Sequence, residues 1–373
     1  MFVTFILVAL LALAATLALP AFVEIGPAAR AHFTFAIGVM PLILAAFDYF
    51  VPVLTRSGAS PGMVRALPWL ALASGGLALI QFVAPGAVPM APEAAALGAL
   101  TAAGASAGWM YVRGARAVGP PHPCLDWYIA AALCLAVGTA AITAMPLWPE
   151  EYAALKRLHL HLNTLGFVGL AAISTLQVLM PTVAGRPDAS VADRLHRDLV
   201  PAVAGVALIA AGAAWLAPLA WVGLALWLLP MMRLIAAWWQ LYRADIFAWH
   251  GPAPALAGAL AGMLILLAAG LLAPLFGSAM INSAFGFIAA FLLPLVTGAA
   301  GALLPVLLRP GVQTPWHAGF RETAGRYAGA RALLFLLGGT AVALGRDEGI
   351  MLSLLALVLF VAQISRALRI DVK

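Results

Sequence analysis

The chain has 373 residues, of which 64% are hydrophobic and only 9% charged, and its formal charge is +6; its mean hydropathy is +1.03 and its pI near 9.8. A water-soluble domain cannot cover itself with so few charged side chains, so composition excludes a soluble enzyme and gives an all-α polytopic membrane protein. The basic excess lies in short loops between apolar runs, where membrane topology accounts for it and no nucleic-acid partner is expected.

Taken in chain order, apolar runs predict about twelve transmembrane helices, near 2–22, 31–55, 66–85, 91–113, 127–147, 159–184, 199–217, 219–243, 253–275, 280–308, 329–345 and 349–367, lengths suited to about 30 Å of hydrocarbon. The first run has no basic leader and no convincing cleavage site, so it is expected to be a retained span rather than a signal peptide. Linkers are short and rich in Pro, Gly and Arg, which leaves one membrane domain over residues 1–373. Loops after even-numbered spans carry fifteen Lys and Arg, from Arg56 to Lys373, against four on the other side (Arg30, Lys156, Arg157, Arg346), with Arg233 inside a span. That bias predicts both termini in the cytoplasm of a bacterial-type inner membrane. Cys124 and Cys134 have no zinc-type spacing and lie on or near that reducing side, so no structural disulfide is expected.

The second and sixth spans share an outline. His32 and Pro52 in one correspond to His161 and Pro181 in the other through one shift, 161 − 32 = 181 − 52 = 129, and Arg56 and Arg186 close the two stretches. The tenth span ends in Pro305 and Arg309 but has no histidine at its head. Spans three, seven and eleven have small centres, Gly75-Gly76, Gly212 and Gly338-Gly339, which allow close helix contact. The chain therefore reads as three pseudo-symmetric four-helix arcs, approximately 1–121, 122–250 and 251–373, with the second, sixth and tenth helices nearest the axis.

Polar groups inside these spans are candidates for function, because hydrocarbon disfavours them. The sixth span opens with His159 and His161 and carries Asn163 and Gln177; the counterparts of His159, Asn163 and Gln177 are Arg30, Thr34 and Asp48, 129 residues earlier. Residues two apart on a helix point about 200° from one another, so His159 and His161 cannot both serve one metal centre with His32. Shared register favours His161 as the partner of His32 and leaves His159 on a polar stripe facing elsewhere. Asp48 and Arg233, in the inner halves of their helices, are expected either to pair or to line a solute or proton path with Thr34, Asn163 and Gln177. A lone histidine at a helix start is ordinarily interfacial; the repeat and the HLH spacing put ligation on an equal footing with that reading. His122, His196, His250 and His317 are expected to be solvated in loops. Trp127, Trp148, Trp221, Trp249 and Trp316 are expected in an interfacial belt, with Trp238 and Trp239 as anchors. No phosphate loop, dinucleotide fingerprint or nucleophile elbow is present.

Twelve spans, internal termini, three arcs and histidines at the outer ends of inner helices resemble subunit I of the haem-copper oxidases and nitric oxide reductases, and are similar to the nitric-oxide-response membrane proteins called NnrS. In those oxidases an HxH pair on one helix serves two haems, and His159 to His161 together with His32 resemble that element. The sequence departs from the family where copper is bound: span six has no HxxxY and span seven no histidine. The resemblance therefore implies a membrane haem protein without the oxygen-reducing copper centre, not a competent terminal oxidase. Its expected work is electron transfer, or the sensing or handling of nitric oxide, another diatomic gas or a metal. It implies one haem b with His32 and His161 as axial ligands, Arg30 or Arg157 near its propionates, and room supplied by Gly38, Gly166 and Gly169. The expected partners are the lipid bilayer and a redox protein or further membrane subunit. The alternative is a secondary transporter of a small solute, metal or proton, using the polar stripe on helices two and six.

Overall fold

The structure, a computed structural model, describes residues 1–276 and 283–370; Asn282, at the head of the tenth expected span, and Lys373 lie outside them. The described residues form helices and no strand: α1 (Phe2–Ala21), α2 (Pro27–Leu54), α3 (Gly62–Val83), α4 (Ala91–Ala115), α5 (Cys124–Ala144), α6 (Pro149–Ala184), α7 (Val191–Ala214), α8 (Ala217–Ile246), α9 (Ala253–Phe276), α10 (Ala284–Leu308), α11 (Pro315–Ala324), α12 (Ala328–Ala343) and α13 (Glu348–Ala367). Ten of these are long and apolar enough to cross a membrane. Of the remaining expected spans, α4 is 25 residues long but rich in Ala and Gly, and α12 has only 16 residues. Both pack by small residues. Ala95, Ala99, Ala102 and Ala103 lie on the buried face of α4, and Ala332, Gly338 and Gly339 lie on that of α12 beside Phe335.

Two helices begin well before their apolar runs. α6 starts at Pro149, ten residues ahead of His159, and α7 starts at Val191 and takes in His196, which is exposed. Charged residues such as Lys156 and Arg157, or Asp193 and Arg197, hide these turns from a hydropathy window, although nothing in them breaks a helix. The histidines of α6 consequently stand about three turns inside the helix rather than at its start.

The helices α2, α6 and α10 are each interrupted by a π-helical segment, at Phe33–Val39, Leu162–Leu170 and Phe287–Leu292. The first two begin one residue after His32 and His161, so they obey the same shift, 162 − 33 = 129. A π segment widens the backbone and rotates the side chains that follow it, and such segments concentrate at functional sites. Glycines on neighbouring helices let these widened stretches pack. A Cβ on Gly75 of α3 would lie 2.2 Å from the Ala36 carbonyl oxygen, and one on Gly339 of α12 would lie 2.3 Å from the Ala290 nitrogen. Gly212 plays the same part between α7 and α8, where its Cβ would meet the Ala220 nitrogen at 2.2 Å. The small centres expected in spans three, seven and eleven are thus close-contact positions.

Several peripheral expectations are corrected. His317 is 2% exposed rather than solvated. It is the third residue of α11, accepts the Thr314 backbone N–H at Nδ1 and donates from Nε2 to the Arg309 carbonyl at 2.8 Å, so it caps the helix and ties it to the end of α10. Trp127 is fully buried and donates to the Leu195 carbonyl, and Trp316 and Trp238 are also buried. Trp148, Trp221, Trp239 and Trp249 are exposed, as an interfacial belt requires. His122 is half-buried, and that burial pushes its imidazole below the usual range.

Candidate functional site

His32 and His159 come together. Their rings are 6.4 Å apart between centres and only 14° from parallel, although they sit on α2 and α6, far apart in sequence. Each ring is fixed by a backbone carbonyl: His32 Nδ1 lies 2.8 Å from the Ala28 oxygen of its own helix, and His159 Nδ1 lies 2.8 Å from the Gly138 oxygen of α5. A carbonyl only accepts, so Nδ1 carries the proton in each ring and Nε2 keeps a free lone pair. Asn163 donates to the His159 carbonyl at 2.8 Å and so steadies the turn that presents the ring. Phe82 of α3 packs against His32 with 4.4 Å between ring centres.

The two rings line a cavity of about 360 Å³ bounded by α2, α3, α4, α5 and α6, within the range of small-molecule sites. Its walls are small and apolar, including Ala31, Ala36, Gly75, Ala78, Ala95 and Ala99, and the polar groups on its lining include Lys156, Gln81 and Tyr152. Among the described residues no group of three or more His, Cys, Asp or Glu converges to hold a metal ion. A bare zinc or copper ion needs three or four protein donors. Two imidazoles with no further protein donor suit a metal whose other ligands come from a macrocycle. Metal–imidazole bonds of about 2 Å, plus about 1.1 Å from each nitrogen to its ring centre, set collinear axial rings about 6.2 Å apart. The observed separation matches that figure, and carbonyl-anchored Nδ1 atoms are the usual support of ligating histidines.

His161 does not share this cavity. It lines a second one, about 300 Å³, bounded by α2, α6, α7, α8, α9 and α10 with Trp221, Met263 and Phe287 among its walls. Its Nδ1 lies 2.8 Å from the Arg157 carbonyl, four residues back, as the His32 Nδ1 does from that of Ala28. The expected pair His32–His161 is therefore not brought together, and the ring expected to face away, His159, is the one beside His32. Comparison with family models, with curated proteins and with solved structures finds no match. The assignment of the site rests on its own geometry.

The expected propionate partners lie elsewhere as well. The Arg30 guanidinium stacks on Phe285 of α10, 3.7 Å from the ring centre, and Arg157 donates to the Ala214 carbonyl at the end of α7. Lys156, which sequence reasoning left in a loop count, is the cation on the cavity lining. Gly166 is filled by Cys134, Gly169 by Trp227 and Gly38 by Ala12, so these glycines serve helix packing rather than open space.

The polar stripe is dispersed. Thr34 is fully buried and hydrogen-bonds Thr16 of α1 at 2.6 Å. Gln177 accepts from Arg194 Nε at 2.7 Å, and Arg194 pairs with Asp188 at 2.9 Å. Burial raises the Asp188 carboxyl, but hydrogen bonds from Ser190 and Arg194 outweigh it and hold the carboxyl below its ordinary value. Arg233 pairs with Asp198 of α7 and not with Asp48, one of whose oxygens is buried without a partner. Of Thr34, Asp48, Asn163, Gln177 and Arg233, only Asn163 lines either cavity. Each of the others is tied to a different neighbour or left alone, because residues on one helical stripe face different helices once π segments rotate the stripe.

Proposed function

We propose that this chain is an integral membrane haem protein that holds one b-type haem between His32 and His159, and that it works in electron transfer or in the response to nitric oxide or another diatomic gas. The observation that carries this reading is the pair of carbonyl-anchored, near-parallel imidazoles from α2 and α6, 6.4 Å apart beside an apolar cavity. A haem there would be six-coordinate and low-spin, and its chemistry would be one-electron transfer tuned by an apolar surround. Lys156, on the lining of the same cavity, would offer a counter-charge to a propionate. The chain's own contribution is to fix both imidazoles as neutral Nδ1–H tautomers and to exclude water with Ala and Phe walls.

The resemblance to haem-copper oxidase subunit I extends to a proposed arrangement of three four-helix arcs. What supports it is that one shift relates the walls of the two cavities: Ala31, His32, Phe35, Ala36, Pro92 and Ala95 line the first, and the residues 129 later, Leu160, His161, Thr164, Leu165, Trp221 and Leu224, line the second. The π segment of α10 adds the corresponding feature in the third arc. On this arrangement His32 and His161 are symmetry-related and face successive cavities, so they cannot ligate one iron. The ring two residues before His161 points the other way and returns to the first cavity. In the proposed orientation both termini are cytoplasmic and the histidines lie toward the outer face of an inner membrane. Oxygen reduction at a copper centre is not part of the proposal, since α7 offers only His196, exposed and at the opposite end from the cavities.

The test is an optical spectrum of the full-length chain, expressed with adequate haem supply and purified in detergent. A reduced-minus-oxidised spectrum of low-spin b-type haem, with close to one haem per chain in the histidine cavity, is expected. A chain that folds and takes up no haem overturns the reading.

A further inference from the structure

Among the described residues four ion pairs lie on the side of the helices away from the histidines. Arg186 pairs with Asp245 and Arg194 with Asp188, one cation to one anion in each. The remaining two converge on one carboxylate: Arg197 Nε lies 3.1 Å from Asp198 Oδ1, and Arg233 bonds the same oxygen from α8. Among the described residues this is the ion-paired cluster with a surplus cation. Asp198 is wholly buried, whereas the side chains of Arg197 and Arg233 are 57% and 36% exposed. Both guanidinium side chains are therefore open to the outside of the protein.

What they meet there follows from depth and from their neighbours. The α7–α8 turn lies at the histidine end, because Arg157 and Glu151 of α6 bond Ala214 and Trp215 there. Asp198 precedes Ala214 by sixteen residues and Arg233 follows Ala217 by sixteen, 214 − 198 = 233 − 217. At 1.5 Å per residue both lie about 24 Å below the turn, close to the far edge of a hydrocarbon core about 30 Å thick. Around them Val200, Leu229 and Met232 are 73%, 39% and 54% exposed, an apolar surface that in a membrane meets acyl chains. A surplus positive charge at that depth is costly unless something anionic meets it. Guanidinium groups suit phosphate oxygens, to which they donate in forked pairs.

We propose that Arg197 and Arg233, held in place by Asp198, form a binding site for the phosphate of an anionic phospholipid in the leaflet opposite the histidines, with Val200, Leu229 and Met232 receiving its acyl chains. The apolar rim selects a lipid over free phosphate, which would gain nothing from it. This inference rests on the spans and not on the haem.

The experiment is native mass spectrometry of the full-length protein from mixed micelles of phosphatidylglycerol and phosphatidylcholine. Wild type is expected to retain phosphatidylglycerol preferentially. Arg197→Gln and Arg233→Gln should each lower that retention about fivefold, the factor that corresponds to about 1 kcal/mol per arginine at an anionic surface. Arg197→Gln leaves the Arg233–Asp198 pair intact and is the variant to rely on if Arg233→Gln fails to fold. Equal retention of the two lipids by wild type, or retention of phosphatidylglycerol unchanged in Arg197→Gln, overturns the proposal. Displacement of the lipid by inorganic phosphate alone overturns the assignment to a lipid.

Discussion

Replacing the three histidines one at a time separates the geometry of the site from the register of the sequence. The centres of the His32 and His159 rings are 6.4 Å apart. Two axial imidazoles on one iron have their ring centres about 6.2 Å apart, so a separation of this size leaves room for two bonds of about 2 Å and no more. An iron placed between them uses both rings or is lost to one. His32→Ala and His159→Ala are each expected to abolish the low-spin spectrum, leaving a weakly held, high-spin haem or none. His161→Ala, which alters the other cavity, is expected to keep both the low-spin bands and the stoichiometry of that site. The assay is the reduced-minus-oxidised spectrum with haem content per chain, on variants matched by size-exclusion profile. The opposite pattern, with loss in His161→Ala and retention in His159→Ala, would refute the pairing and the symmetry argument behind it.

Lys156→Gln is expected to leave the low-spin bands in place while speeding haem loss, because it removes the cation on the cavity lining without touching a ring; an unchanged rate of transfer to apomyoglobin would show that no propionate meets it. Gly75→Ala should lower the thermal midpoint by the equivalent of about 1–3 kcal/mol, since a Cβ there would lie 2.2 Å from the Ala36 oxygen and the backbone must move. Thr34→Val breaks the buried bond to Thr16 and should cost about 0.6 kcal/mol, the average for such bonds within membranes; loss of a transport activity in that variant would instead support the polar-path reading. Asp188 is depressed in the folded state by Ser190 and Arg194 against the opposing effect of burial. Its stabilising effect is therefore present above its unfolded pKa of about 3.9 and is lost as pH falls through the lower folded value. Acid unfolding followed by circular dichroism should therefore begin at lower pH in wild type than in Asp188→Asn, which lacks that stabilisation at every pH; coincident acid midpoints would count against the role given to this carboxyl.

The membrane class and most spans were legible because apolar runs of sufficient length admit few other structures. Gly75, Gly212 and Gly339 were legible as contact positions for a related reason, since a small centre in a span has little use except close approach. Helix starts were not: Lys156 and Arg157, or Asp193 and Arg197, lower hydropathy without ending a helix. The π segments were invisible too, because no residue type marks them, and they decide which way Thr34 and Asn163 face. The partner of His32 was missed for a different reason. Both the shift of 129 and the 200° between His159 and His161 are in the sequence, but shared register alone suggests that His32 and His161 face one another. Under the proposed arcs, residues related by rotation about the axis point in successive directions around it, so equal register argues against a shared ligand.

The same reasoning accounts for Arg30. It stands 129 residues before His159, so under the proposed arrangement it occupies on α2 the place that His159 occupies on α6, one position around the axis. There its guanidinium lies 3.7 Å from the Phe285 ring centre, between α2 and α10. A planar cation on an aromatic face is a packed contact that stabilises by up to about 2 kcal/mol when desolvated. His159 instead offers a free nitrogen to a cavity. The two positions thus have one geometry and two chemistries: where the repeat places a histidine, the neighbouring wall of small residues leaves space, and where it places an arginine, an aromatic ring fills it. Exchanging them tests whether place or residue type sets the function. Arg30→His should not create a second low-spin centre, since Phe285 occupies the volume a macrocycle would need, whereas His159→Arg should lose the first. A new low-spin signal in Arg30→His would mean that the third position can open, and that Phe285 packing rather than the absence of a ligand keeps it closed.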